Sequence, residues 1–313
     1  MNDPGLSSPE PVCRVRDVHH RYGEHVALAG VNLHVGAGEI VSILGPNGSG
    51  KTTLFRLLCT LMPLQRGEIQ IGTFDCKTEP MAVRSQIGIV FQSPSLDIKL
   101  TVDENIACQG ALYGIKGAEL QRRRDELLTR FHLKDRRGDY CESLSGGLKR
   151  RVELAKGMLH QPRLLLLDEP STGLDPAARM SFWDAIESMA DEGMAVLMTT
   201  HLLEEADKAD RVLIMSQGKI IAQGAPEQLR AEMGEGIVTI VAQDVETVEQ
   251  LLVDQLGLSP QRMHHQLRLR SESPASLVPV LVETLGDRAQ SISIGRPSLE
   301  DVFIAKTGLE FVT

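Results

Sequence analysis

Five cysteines (Cys13, Cys59, Cys76, Cys108 and Cys141) are scattered through the 313 residues, and no two form a C-x-x-C pair. That spacing supports neither a zinc site nor a disulfide framework, and reduced cytosolic thiols are the expectation. No apolar stretch approaches the roughly twenty residues that span a bilayer as a helix. The chain is therefore expected to be soluble, with any membrane role coming through a partner. Met1 to Glu10 is rich in Pro, Ser and Gly and holds no apolar signal core, so residues 1–11 read as a disordered tail. Positive charge is in deficit: 33 Lys and Arg against 42 Asp and Glu leave a net charge of −9. That balance argues against a nucleic-acid surface spread over the protein. Aromatic residues are scarce at 4%, which makes the tyrosine in Arg21-Tyr22-Gly23 conspicuous.

What is present is enough chain for one large domain plus a small one, with ordinary apolar content for a core. The organising stretch is Gly45-Pro46-Asn47-Gly48-Ser49-Gly50-Lys51-Thr52-Thr53. The apolar run Glu39 to Leu44 precedes it and the helix-like run Leu54 to Leu58 follows. Strand, glycine-rich loop and helix are the context in which this spacing reads as a P-loop. Glycine lets the backbone curl around phosphate oxygens at torsions a Cβ disfavours. The amide N–H groups and the following helix N-terminus then form an anion nest. Lys51 reaches the terminal phosphates as a point charge, and the Thr52 hydroxyl is placed to ligate Mg²⁺. Tyr22 could stack on a nucleobase, although such a tyrosine alone is more often packed at a strand edge.

Short apolar runs from Val12 to Gln70 predict antiparallel strands leading into the P-loop strand. Gln86 to Phe91 predicts another strand, ending in Gln92. From Ser93 to about Cys141 the pattern turns helical, with Thr101 and Glu104 as a capping box. Glu119 to His132 carries an apolar set at helical spacing, and Arg122-Arg123-Arg124 reads as a solvated helix face. Leu144 to Arg151 opens a helix at Ser145-Gly146-Gly147, whose bare N–H groups beside a hydroxyl suit phosphate. Leu164 to Leu167 is four leucines in a row, as a strand buried on both faces requires. Asp168 and Glu169 follow at its end, where open sheets bind ligands. Asp168 can hold Mg²⁺, leaving Glu169 to orient or deprotonate water. Asp175-Pro176 reads as N-cap and first residue of a helix to about Asp191. Ala195 to Thr200 predicts a strand ending in His201. Two short strands, Arg211 to Ser216 and Lys219 to Gln223, turn at Gln217-Gly218. Beyond Pro226, strand-like stretches (237–242, 265–270, 291–294) alternate with helix-like ones (245–256, 276–285), and 297–303 opens a last helix. No catalytic constellation stands out there, and the neighbours His264 and His265 would point to opposite faces of a strand, which disfavours joint metal ligation.

In this order the motifs resemble the nucleotide-binding subunit of an ATP-binding cassette (ABC) transporter over residues 12–225. The resemblance implies that Tyr22 is the adenine-stacking aromatic. Gly45 to Thr53, including Gly45, Asn47, Gly48, Ser49, Gly50, Lys51, Thr52 and Thr53, would be Walker A. Gln92 would be the Q-loop glutamine and a Mg²⁺ ligand beside Thr52 and Asp168. Ser145, Gly146 and Gly147 match the family signature, and Asp168 and Glu169 match Walker B with its catalytic glutamate. Ser171 to Asp175 resembles the D-loop and His201 the switch histidine. Position 148 is Leu where the commonest signature has Gln. That variant, with the tail Ser298 to Phe303, resembles the ABC-2 branch of drug, antibiotic and polysaccharide exporters. The implied fold is an α/β P-loop NTPase with a mixed sheet, an antiparallel β subdomain, a helical insertion (about 93–160) and a C-terminal α+β accessory domain (226–313) for dimerisation or regulation. The implied cofactors are ATP and Mg²⁺. The implied partners are ABC-2 type permease subunits and a second copy in an ATP-dependent homodimer, with no nucleic acid. The implied place is cytoplasmic, peripheral on the inner face of the membrane.

The competing class is a soluble, non-transport ABC ATPase of the translation, chromosome-structure or DNA-repair kind. One cassette rather than two, no long heptad stretch between Walker A and the signature, and no zinc-spaced cysteines all disfavour it. A P-loop kinase is a weaker alternative, because the signature and D-loop have no place in one.

Overall fold

The computed structural model describes residues 10–234, 236–263 and 266–308. The expected tail falls almost wholly outside these residues, and the pair His264 and His265 falls wholly outside them. The chain divides into two compact units between Ile221 and Ala222.

In the first unit, β1 (Cys13–Tyr22) and β2 (His25–Val35) pair antiparallel and precede β3 (Ile40–Leu44), the strand that enters the glycine-rich loop. The loop opens α1 (Lys51–Leu58). Next come β4 (Arg66–Ile71), β5 (Phe74–Asp75), α2 (Pro80–Gln86) and β6 (Ile87–Val90). The helical insertion holds α3 (Val102–Leu112), α4 (Gly117–Arg130) and α5 (Gly146–Met158). Then follow β7 (Leu164–Asp168), α6 (Pro176–Asp191), β8 (Ala195–Thr200), α7 (Leu203–Ala206), β9 (Arg211–Ser216) and β10 (Lys219–Gly224), which begins in this unit and ends past its boundary.

Two sheets result. One is antiparallel, in the order β2-β1-β4-β5. The other runs β10-β9-β3-β8-β7-β6, with β9, β3, β8, β7 and β6 parallel. The last hairpin turns at Gln217-Gly218, both at positive φ, which suits the twist of the strands it joins.

The leucine run shows how this sheet is held. Successive strand residues point to opposite faces. Leu164 and Leu166 join the core shared with α1 and the antiparallel sheet, whereas Leu165 and Leu167 join the core shared with α5, α6 and the helical insertion. All four are 0% exposed. By the same alternation Asp168 falls on the α1 side, where the phosphate loop ends.

Several expectations shift. Helix does not start at Ser93: residues 93–101 are loop, and α3 begins at Val102 behind the Thr101–Glu104 capping box. The strand expected to end in Gln92 stops at Val90. The basic cluster divides. Arg122 is a surface residue bonded to Glu119 and Glu126. Arg123 and Arg124 are not solvated, each side chain being 19% exposed. Arg123 reaches Glu119 and the Leu159 carbonyl, and Arg124 pairs with Asp103. They pin α4 to the rest of the insertion.

The second unit contains α8 (Pro226–Ala231), β11 (Gly236–Ala242), α9 (Val245–Leu256), β12 (Gln261–Met263), β13 (Gln266–Ser271), α10 (Pro274–Leu285), β14 (Ala289–Gly295) and α11 (Leu299–Thr307). Its antiparallel sheet runs β12-β13-β11-β14. A β-α-β-β-α-β succession in that order is the split-βαβ arrangement. Val238, Ile240, Leu267 and Leu269 on the sheet pack against Val248 and Leu252 of α9 and Leu281 and Leu285 of α10. Arg268 is bonded to Asp301 at 2.6 Å, tying the start of α11 to the sheet.

Candidate active site

At Gly45 and Gly50 the glycine loop is built against its neighbours with no space for a side chain. A Cβ on Gly45 would sit 2.4 Å from the Met215 carbonyl oxygen and 2.8 Å from Ser49 Oγ. Gly50 has φ +109, and a Cβ there would meet the Ala27 carbonyl oxygen at 2.6 Å. Asn47 and Gly48 are exposed at the rim, and Thr52 is exposed in the first turn of α1, whereas Ser49, Lys51 and Thr53 are buried. Ser49 Oγ has no hydrogen-bond partner, although buried polar groups nearly always have one. Lys51 Nζ donates to the carbonyls of Gly45 at 2.6 Å and Pro46 at 3.0 Å. Burial lowers the Lys51 pKa, and the negative fields of Glu169 and Asp168 oppose that shift. A loop too tight for a Cβ at Gly45 and Gly50, an unpartnered hydroxyl and a buried cation suit a phosphate chain.

Asp168 and Glu169 leave β7 with different surroundings. Asp168 Oδ1 accepts the Thr199 hydroxyl at 2.5 Å. Burial pushes the Asp168 pKa up and Glu169 adds to this, while the Thr199 bond, Lys51 and Arg56 pull it down. Glu169 stands at φ +44, a left-handed conformation that costs a side-chain-bearing residue about 1 kcal/mol or more. Its N–H is held by Thr199, through both Oγ1 and the carbonyl at 3.1 Å. Its carboxyl oxygen Oε2 is a meeting point: Gln92 Nε2 donates to it at 3.0 Å, and His201 Nδ1 lies 3.1 Å away. Residues from the ends of β6, β7 and β8 thus converge on one oxygen.

Tyr22 is 46% exposed at the end of β1, edge-on to His20, with its hydroxyl donating to Met62 Sδ at 3.2 Å. Asp175 caps α6 by accepting the Ala178 N–H at 2.9 Å. Ser145 caps α5 through the Leu148 N–H at 3.4 Å. Among the described residues no hydrogen bond or ion pair joins Ser145, Gly146 or Gly147 to the glycine loop of the same chain. They adjoin residues 171–175 and α6 instead. A Cβ on Gly146 would lie 3.7 Å from Leu174, and one on Gly147 would lie 2.8 Å from Ala178 Cβ.

Two supporting groups were not legible beforehand. Arg150, 4% exposed on α5, donates to the carbonyls of Phe91 at 2.6 Å and Gln92 at 3.0 Å, and to Glu153 at 2.8 Å. Glu153 accepts the Ser95 N–H at 2.7 Å, and Lys156 Nζ donates to the Ser95 carbonyl at 2.7 Å. Helix α5 thereby clamps the loop that presents Gln92. The second group is Thr199, Thr200 and Glu205, behind Asp168 and His201. The only sequence signal was the hydroxyl pair at a strand end, which is common.

The fold and the site together define a P-loop nucleoside triphosphatase of the cassette type. The model of the ABC transporter family matches residues 28–172. A Streptomyces coeruleorubidus protein named daunorubicin resistance ATP-binding protein DrrA3 is 38% identical over 92% of this chain and 93% of its own length. A Ralstonia nicotianae protein named Nod factor export ATP-binding protein I is 33% identical over 98% and 97%. A solved structure described as the ATP binding subunit of an ABC transporter is 30% identical, with a TM-score of 0.64 over 71% of this chain and 92% of that one. The chain belongs to the ABC transporter family, among the ATP-binding, ATP-hydrolysing subunits that power export. The soluble translation- or repair-type reading finds no support among these relatives. Among the described residues no helix is long and apolar enough to cross a membrane.

Proposed function

We propose that this chain is the ABC-2 type ATPase of an exporter, working as a two-fold homodimer on the inner face of the membrane against separate permease subunits. Each ATP lies between the glycine loop of one copy and Ser145, Gly146 and Gly147 of the other, with Tyr22 stacked on adenine. The placement of the signature turn beside the D-loop, with no bond to its own glycine loop, supports this composite arrangement. Thr52, Asp168 and Gln92 would hold Mg²⁺, which neutralises phosphate charge as the terminal phosphoryl group is transferred to water. The exposed Thr52 hydroxyl and the buried Asp168 carboxyl, whose pKa burial raises, suit a divalent cation.

Glu169 orients the attacking water and takes its proton. His201 and Gln92 hold that carboxyl between them. Nucleotide that binds the closed pair more tightly than the open one can drive a partner's conformational change. The relatives are named for daunorubicin resistance and for Nod factor export, two unlike cargoes, so specificity is assigned to the permease.

The convergence of Gln92 and His201 on Glu169 Oε2 carries this reading. Its test is tagged Glu169→Gln protein purified from native membranes with ATP. The expected result is retained ATP, turnover down by about a hundredfold or more, and a stoichiometric polytopic membrane protein in the eluate. Turnover at the unsubstituted rate would remove Glu169 from the role of base. Recovery of only the chain itself, ribosomes or nucleic acid would overturn the transporter assembly.

A further inference from the structure

Two loops leave the sheet on either side of the hydrolytic centre. One follows β7 from Glu169 through Ser171 to Asp175, and the other follows β8 and carries His201. One carboxyl group joins them. Glu205, on α7, is 1% exposed. Its Oε1 accepts the hydroxyl of Ser171, and its Oε2 accepts the hydroxyl of Thr200 at 2.7 Å. Ser171 and Thr200 are themselves 1% exposed.

Both residues are also tied to loop geometry. Thr200 Oγ1 donates to Glu205 and accepts the Leu202 N–H at 2.9 Å, which closes the backbone over His201. The Ser171 carbonyl accepts the Leu174 N–H at 3.0 Å, which shapes the turn leading to Asp175. A buried acid costs desolvation and is usually repaid by a cation or by several N–H groups. Here its donors are two hydroxyls from segments 29 residues apart in sequence (171 and 200). An apolar residue would fill the same space with less desolvation. What the carboxyl adds is a fixed spacing between two loops.

We propose that Glu205 is a positioning residue that couples the loop ending in Asp175 to His201, so that displacement of one is carried to the other. This rests on the reading of Glu169 and His201 as the hydrolytic centre. Its consequence is that whatever presses on the Asp175 turn resets His201 against the Glu169 carboxyl. Ser171 and Thr200 transmit the displacement, and Glu205 acts through their hydroxyls.

The test uses the full chain and compares Glu205→Ala, Glu205→Gln, His201→Ala and the double variant Glu205→Ala/His201→Ala. The readouts are steady-state ATP turnover, affinity for a fluorescent ATP analogue, and melting temperature. Glu205→Ala is expected to lower kcat about ten- to a hundredfold, with nucleotide affinity held within about twofold. Glu205→Gln keeps the shape and one acceptor, and should recover part of that loss. The double variant should be no slower than His201→Ala alone, because two residues acting through one step are non-additive. Losses that multiply in the double variant would overturn the proposal. So would an unchanged kcat, or a kcat and affinity that fall together in the Gln variant as well. If Glu205→Ala does not fold, Ser171→Ala combined with His201→Ala gives the same cycle from the other end of the link. Glu169→Gln is measured alongside: wild-type turnover there would remove the hydrolytic centre itself, whatever Glu205 does.

Discussion

Lys51 and Asp168 carry opposite charges into a nearly dry pocket floor, and burial pushes each pKa toward the neutral form. A triphosphate supplies the negative charge that favours the ammonium, and the proposed Mg²⁺ supplies the positive charge that favours the carboxylate. The thiols respond to burial in the same sense but without partners to reverse it. Burial pushes Cys76 up to about 12, and raises Cys13 and Cys59 as well. Cys141 is buried and raised too, whereas Cys108 is exposed. A raised thiol pKa means less thiolate at any given pH, and the thiolate is the reactive form. Alkylation of the native chain at pH 8 should therefore add one adduct, at Cys108, and all five only after denaturation. Peptide mass spectrometry checks this, and equally fast labelling of Cys13 or Cys59 would contradict the burial argument.

At the scale of elements, α5 does two jobs from opposite ends. Its first turn presents Ser145 and the two glycines, and further along Arg150, Glu153 and Lys156 grip residues 91–95. Arg150→Met should leave Glu153 buried without its cation. The expected loss is about 3–5 kcal/mol of stability, read from denaturant melts, and Gln92 loses its support as well. A loss below about 1 kcal/mol would mean that Glu153 finds another partner or water. The caps of these helices were legible in the sequence because capping is local: Thr101 with Glu104, Ser145 with Leu148, and Asp175 before Pro176 all lie within four residues of what they bond. The leucine strand was legible because four unbroken leucines suit a strand buried on both faces. The burial of Arg123 and Arg124 is not legible locally, because the Leu159 carbonyl and Asp103 that hold them stand 36 and 21 positions away (159 − 123 and 124 − 103). The α5 clamp and the Glu205 link were hidden for the same reason. The short α2 and β12 escaped because seven and three residues are too few to show a period.

At the scale of the whole molecule, the proposed dimer makes the glycine loop and the Ser145 turn of one chain separate half-sites. The proposed dimer predicts that Glu169→Gln protein with ATP sediments as a dimer. Adding Ser145→Arg should hold it monomeric while a fluorescent ATP analogue still binds through the intact Lys51 loop. Sedimentation velocity with and without ATP distinguishes this, and an undiminished dimer would mean that the signature turn lies outside the interface. The strand β7 bears on the same question from inside the first unit. Its leucines serve two cores in strict alternation, and the same alternation puts Asp168 on the α1 side while Glu169 leaves the strand at positive φ, with both acids acting on Lys51. Losing one residue from this run would turn the leucines after the gap toward the opposite core and put Glu169 where Asp168 now stands. The strand thus acts as a fixed-length spacer. Over evolutionary time insertions and deletions can accumulate in the loops around it, while the stretch from Leu164 to Glu169 can change letters but not length.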